Sequence, residues 1–291
     1  MNAKNSPLWE EGSFIGGETH RDNSRSEAKL NVIHKYSQEQ LAEIPYLHDD
    51  KFEEIQQKAK EGFEELSSYS AEKRRELLEN LRQLVKENRE ALTETIVAEA
   101  GKPLSYAQIE VSRALSTLQT AVEESTRIGG EVVPMDFGKG KGSEAYTKRF
   151  PIGPIIGISP FNFPLNLVLH KLAPALACGC SLTLKPSPRT PLTALALANL
   201  VKRAGYPEGS FNVLVCRDGL AQQLIESETF KMFSFTGSAK VGWFLKQKAG
   251  KKKVLLELGG NAPCVVDESA DIKEAARLLA KGCFLYAGQI C

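Results

Sequence analysis

Hydrophobic positions change their spacing near residue 150, and the change divides the chain into two textures. From Lys51, the residues Phe52, Ile55, Ala59, Phe63 and Leu66 recur at intervals of three and four, the repeat of a helix with one buried face. Ser70 stands as an N-cap before a second periodic stretch carrying Leu77, Leu78, Leu81, Leu84 and Val85, which Gly101, Lys102 and Pro103 stop. A third helix is predicted over roughly 104 to 127, presenting Ile109, Leu115, Leu118 and Val122, with Gly129 and Gly130 at its end. Between Glu131 and Phe150, two short β-prone pieces flank GKGKGS, which lacks the order of a phosphate loop and reads as the basic tip of a projecting hairpin. Residues 1 to 50 are polar and mixed, and suit an extended lead-in lying over a domain better than a core element.

After Pro151, short apolar strands at 154–158, 181–184, 211–215 and 231–235 alternate with helices near 165–178, 191–204, 219–226 and 239–249. The run VLLELGG at 254–260 leads into a further strand, CVVD from Cys264, and a helix from Asp271 to about Tyr286. Such alternation is the signature of a parallel, doubly wound sheet. The predicted class is therefore α/β: a doubly wound parallel Rossmann-like sheet with a helical N-terminal region, a hairpin arm and the start of a second α/β domain. Residues 1–130 and 151–257 form the first domain, 131–150 the arm, and 258–291 a second domain that reads as interrupted.

Composition narrows the function classes. Lysine and arginine number 37 against 36 acidic residues, so no global field recruits nucleic acid or an anionic membrane. No apolar run reaches the ~18 residues of a membrane span, and MNAKNSPLWEEGSF holds no signal-peptide core, which makes the cytoplasm the expected compartment. All six cysteines fall in the second half without paired CxxC spacing, so no metal site is expected, and Cys178 and Cys180 read as small core residues between a helix and a strand.

Several segments carry candidate chemistry. FTGSAKVG at 235–242 lies where a strand gives way to a helix, so backbone N–H groups and the helix dipole face an anion; taken singly, it is also an ordinary turn with a packed helix. Lys185 and Pro186 end another strand, at the edge where open α/β sheets bind ligands, although a solvated lysine would read the same way. Cys291, preceded by Gly288, Gln289 and Ile290, is a nucleophile only if its thiol is activated; Glu257 is a candidate base, and the Asn162 amide a candidate oxyanion donor. Each alone is as readily a buried cysteine, a surface glutamate or a turn asparagine.

The order PFNFP (160–164), KP (185–186), FTGSxxxG (235–242), ELGG (257–260) and GQxC (288–291) closely resembles the aldehyde dehydrogenase superfamily, and the resemblance covers nearly the whole chain. It implies that Cys291 attacks an aldehyde, that Asn162 and the cysteine's own N–H hold the oxyanion, and that Glu257 activates the water that releases a carboxylic acid. Glu257 favours this hydrolytic branch over relatives that pass the acyl group to coenzyme A. It implies NAD or NADP as cofactor: Gly237 and Ser238 at the pyrophosphate, Gly242 in close helix packing, Val241 against the adenine, Lys185 at the ribose and Thr236 near the nicotinamide. Ile158, Ser159, Pro160 and Phe161 would line the channel ahead of Asn162, with Leu258 and Gly259 also beside the cofactor. Phe163, Asn166, Leu167 and the helix near Leu115 would border the aldehyde tunnel.

Two departures modify these implications. NAD-preferring members often carry a glutamate three residues after the ribose lysine; Pro188 stands there, and Ser187 and Arg189 could donate to a 2′-phosphate, so NADP tolerance is expected. The resemblance further implies a longer protein, a homo-oligomer built through the 131–150 arm. Were Cys291 the true terminus, its α-carboxylate would oppose both the thiolate and the oxyanion, and the 291-residue chain would be inactive. The rival expectation is a catalytically dead dinucleotide-binding or interaction module, which has no need of Asn162, Glu257 and Cys291 together.

Overall fold

A computed structural model describes residues 8–21 and 28–291. The first elements already depart from the expected lead-in. Strands β1 (Ser13–Ile15) and β2 (Glu18–His20) form a hairpin, and β3 (Lys29–Ile33) pairs with β4 (Gln40–Pro45) in another. Phe14, Ile15, Val32, Ala42 and Ile44 are buried, so this region supplies core as well as cover. Strands of three to six residues offer too few alternations to stand out in a polar context. Residues 1–7 and 22–27 of the lead-in lie outside the described residues.

Four helices follow: α1 (Phe52–Ser68), α2 (Ala71–Glu87), α3 (Arg89–Ala100) and α4 (Leu104–Glu124). Ser70 caps α2 as expected, its hydroxyl accepting from the Lys73 N–H at 3.1 Å. The single helix expected from Ser70 to Gly101 is two, broken at Asn88, whose side-chain amide donates to the Leu84 carbonyl at 2.7 Å and competes with the helical ladder. On α4, Leu118 and Val122 are buried as expected, whereas Ile109 is exposed. The arm is present as β5 (Val132–Val133) paired antiparallel with β6 (Ala145–Tyr146), with a 3-10 turn at Gly138–Gly140 near its tip.

The remaining strands are β7 (Ile155–Ile158), β8 (Leu182–Lys185), β9 (Phe211–Val213), β10 (Met232–Thr236) and β11 (Lys253–Glu257). Between them run α5 (Asn166–Cys178), α6 (Leu192–Arg203), α7 (Asp218–Glu226) and α8 (Ala239–Lys248). The seven-stranded sheet has the order β11-β10-β7-β8-β9-β1-β2, parallel through its first five members, with β1 antiparallel to β9.

Each face of the sheet is covered, as a parallel sheet requires. Ile155, Leu182, Leu184, Phe211 and Val213 pack with residues of α2 to α6, while Ile156, Phe233 and Phe235 pack with residues of α1, α7 and α8. Strand order reverses at β7, whose neighbours are β8 and β10. A crevice at such a switch point, beyond the C-terminal strand ends, is where doubly wound sheets bind ligands.

Residues beyond β11 correct one expectation. Cys264 to Asp267 form no strand; Val265 and Val266 are exposed, and no neighbouring strand among the described residues supplies the ladder that β-prone side chains need. Helix α9 (Ile272–Phe284) does form, with the Asp271 carboxylate accepting from the Lys273 and Glu274 N–H groups, and its Ile272, Leu278 and Phe284 are exposed. Cys180 is buried as expected, but Cys178 is exposed. Among the described residues, no helix is long and apolar enough to cross a membrane.

Candidate active site

The sequence-selected residues gather at the C-terminal edge of the parallel strands. Register sets Lys185 of β8 beside Ile158 of β7, Ile158 beside Phe235 of β10, and Thr236 beside Glu257 of β11. Four separated motifs thus meet in a row along the strand ends, with Thr236 and Glu257 one register step beyond Lys185, Ile158 and Phe235 and so turned to the opposite face of the sheet.

After β7 the chain passes through Ser159, Pro160, Phe161 and Asn162 before entering α5. The Asn162 carboxamide Nδ2 donates to the Gln289 carbonyl at 2.7 Å, which brings the candidate oxyanion donor to the segment that bears Cys291. Its Oδ1 is buried without a partner, as is the hydroxyl of Ser159. Cys291 itself is exposed and packs on the ELGG loop: a Cβ added to Gly260 would fall 2.7 Å from the Cys291 carbonyl oxygen. Only glycine admits that approach. Glu257, three residues earlier, ends β11 with its side chain exposed.

The segment 235–242 turns from strand β10 into helix α8, as the sequence suggested. The Ser238 hydroxyl accepts from the Val241 N–H at 3.4 Å and caps α8, and the Gly237 N–H donates to the Glu257 carbonyl at 3.0 Å. Gly242 is a close-packing position, since a Cβ there would meet Leu258 Cδ2 at 2.5 Å and the Phe235 ring at 3.1 Å. Val241 is exposed on the same helical turn, where an apolar ring could lie against it. Leu258 is half-buried, and Gly259 is open.

At the other end of the row, Lys185 is buried and pairs with the fully exposed Asp218 carboxylate, Nζ to Oδ1 3.0 Å, at the start of α7. The Ser187 hydroxyl accepts from the Arg189 N–H at 3.2 Å, Pro188 is exposed, and the Arg189 guanidinium lies 4.9 Å from the centre of the Phe161 ring. The N–H groups at the α8 N-terminus and the Lys185 ammonium are donors that could hold an anionic dinucleotide, and Val241 offers an exposed apolar surface on α8. Among the described residues, no cluster of three or more histidine, cysteine or acidic side chains could hold a metal ion.

Sequence spacing missed three buried charges. Lys102 Nζ donates to Glu110 Oε2 and to the Asn162 carbonyl, each at 2.6 Å, with both charged side chains fully buried. Lys171, in the apolar helix LVLHKLAPALA, donates to Ser234 Oγ at 3.0 Å and Thr236 Oγ1 at 2.8 Å. Burial pulls its ammonium down to about 8, partly opposed by the Glu257 charge, so this lysine titrates in a range that ordinary lysines do not reach. A charge on an otherwise apolar helix was the available signal. His170 beside it is also lowered, first by burial and then by Arg113 and Lys171.

Comparison with known proteins extends the geometry. Residues 21–291 match the profile described as the aldehyde dehydrogenase family. The chain is 39% identical over 283 residues to a 3-sulfolactaldehyde dehydrogenase of Priestia aryabhattai, covering 96% of this chain and 58% of that protein. It is 35% identical over 294 residues to the NADP-dependent succinate-semialdehyde dehydrogenase GabD of Escherichia coli, covering all of this chain and 60% of that one. Among solved structures, an NADP-dependent enzyme of E. coli superposes with a TM-score of 0.93 at 34% identity, and aldehyde dehydrogenase 21 of Physcomitrella patens, bound to its product succinate, with 0.91 at 38%. Each of these matches covers 99% of this chain and 60% of the other. The chain thus spans about three fifths of the length of the relatives it matches. On a profile match over nearly its whole length, supported by shared identity and fold, it belongs to the aldehyde dehydrogenase family.

Proposed function

We propose that the protein oxidises an aldehyde to a carboxylic acid with NAD(P)+, through a thiohemiacetal and then a thioester on Cys291. The observation that carries this reading is the 2.7 Å bond from Asn162 Nδ2 to Gln289, two residues from the thiol. Attack of the Cys291 sulfur on the carbonyl carbon pushes an electron pair onto oxygen. The Asn162 amide, redirected from the Gln289 carbonyl, and the Cys291 N–H stabilise that oxyanion. NAD(P)+ would be held by the α8 N-terminus and Lys185 and would supply the hydride acceptor. Collapse of the oxyanion would pass hydride to that acceptor and leave a thioester. Glu257 takes a proton from water, which attacks the thioester; the acid departs and the thiolate is restored.

The same reading includes NADP as an accepted cofactor, because Pro188 brings no carboxylate to the ribose, and relatives named NADP-dependent share the fold. It includes a homo-oligomer assembled through the β5–β6 arm, whose Val132 and Tyr146 are exposed. The names of its relatives put 3-sulfolactaldehyde, lactaldehyde and succinate semialdehyde first in a substrate panel.

The test follows NAD(P)H absorbance in the protein at its full encoded length. Cys291→Ser is expected to abolish reduction, and Glu257→Gln to permit one burst of NAD(P)H per active site while turnover falls by roughly 100-fold or more. Cofactor binding without aldehyde-dependent reduction across the panel would instead establish a dinucleotide-binding module.

A further inference from the structure

The buried pair Lys102–Glu110 has no place in the reaction sequence above, yet it touches both halves of the site. Lys102 lies between α3 and α4, and its ammonium is 2.6 Å from Glu110 Oε2 and 2.6 Å from the Asn162 carbonyl oxygen. The same ammonium sits 3.9 Å from the centre of the Phe163 ring and 4.5 Å from that of Tyr286, and those two rings meet edge to face at 6.2 Å. Glu110 directs its other oxygen to the N–H groups of Leu165 at 2.9 Å and Asn166 at 3.1 Å, at the entry to α5. The Tyr286 hydroxyl donates to the Ala100 carbonyl at 3.4 Å, two residues before Lys102.

We propose that Lys102 and Glu110 are positioning residues that fix the Asn162 carboxamide relative to the segment bearing Cys291. Glu110 pins the far side of the Asn162 loop by its two backbone bonds. Lys102 pins the near side at the Asn162 carbonyl and, through Phe163 and Tyr286, ties that loop to the chain leading into the nucleophile. An apolar pair of the same volume would fill this space, and replacing a buried ion pair in that way is commonly neutral for stability. What an apolar pair lacks is a donor aimed at the Asn162 carbonyl. A displacement of about 1 Å in an oxyanion donor is enough to cost on the order of 100-fold in rate.

The inference rests on the proposed role of Asn162, and the experiment separates the two. In the protein at its full encoded length, kcat and KM are measured for Asn162→Ala, for the paired exchange Lys102→Met with Glu110→Gln, and for all three together. The paired exchange removes both charges while an amide oxygen remains to accept from Leu165 and Asn166. It is expected to lower kcat about 10- to 100-fold, with KM and the cofactor Kd held within about threefold, and to cost nothing further in the Asn162→Ala background. Independent, multiplicative losses, an unchanged kcat, or a loss carried by KM would overturn the positioning role alone. Full activity in Asn162→Ala would overturn both that role and the proposed function. If the paired exchange fails to bind cofactor or to melt cooperatively, Lys102→Arg keeps the charge and displaces the donor. It must then lower kcat in the parent and be silent beside Asn162→Ala; equal losses in both backgrounds refute the proposal.

Discussion

Lys171 offers a direct measurement of what a buried charge costs this fold. Burial lowers its pKa from the ordinary 10.5 to about 8. The folded state therefore binds this proton more weakly than the unfolded chain does, so the cost is fully present below about pH 8 and is relieved as pH rises toward 10.5. A difference of that size corresponds to a penalty of about 3 kcal/mol at neutral pH, most of which is recovered between pH 7 and pH 10. Lys171→Met removes the titrating group and leaves an unbranched side chain of similar length in the same helix. Urea unfolding of parent and variant, followed by circular dichroism at matched pH values, isolates the effect. The parent should gain stability relative to the variant across that interval, with both m-values unchanged. Parallel pH–stability curves would refute the reasoning, because the ammonium would then be as well solvated when folded as when unfolded.

Two further predictions concern the cofactor. Gly242→Ala drives a Cβ against Leu258 and Phe235, so α8 must shift; cofactor Kd should rise roughly 10-fold in a fluorescence titration, with a loss of about 1–3 kcal/mol of stability, and an unchanged Kd would remove α8 from the binding site. Asp218→Asn removes the carboxylate that occupies Lys185, and the ratio of kcat/KM for NADP over NAD should rise about 3- to 10-fold at low ionic strength; a fall in that ratio would place the 2′-phosphate elsewhere.

The central sheet was legible because buried parallel strands are written as short apolar runs, as in PIIGI at 154–158, with helical repeats between them. Cys264 to Asp267 carries the same writing and forms no strand, since β-propensity needs a neighbour to pair with and the sequence does not say whether one is there. The break at Asn88 turned on one side-chain bond within an otherwise continuous helical pattern. At the site, ordered motifs singled out Asn162, Glu257 and Cys291 as candidates. Lys102 stayed hidden as a helix-stopping residue because its partner Asn162 is 60 positions away, and no local period reports such a contact. The short strands β1 to β4 were obscured for a different reason: none exceeds six residues, too short for an alternation to stand out from its polar surroundings.

The row along the strand ends also acts as a ruler. Lys185 and Glu257 stand on β8 and β11, three strand intervals apart, which at the usual interstrand spacing is about 14 Å. Ladder bonding in register fixes that length more firmly than any loop could, and a slip of one residue would turn the side chains of a whole strand to the opposite face. A molecule that is to reach Lys185 with one end and the Glu257 side of the crevice with the other must be long and extended. The sheet thus sets a minimum length for any ligand that touches both ends before any single contact selects by chemistry.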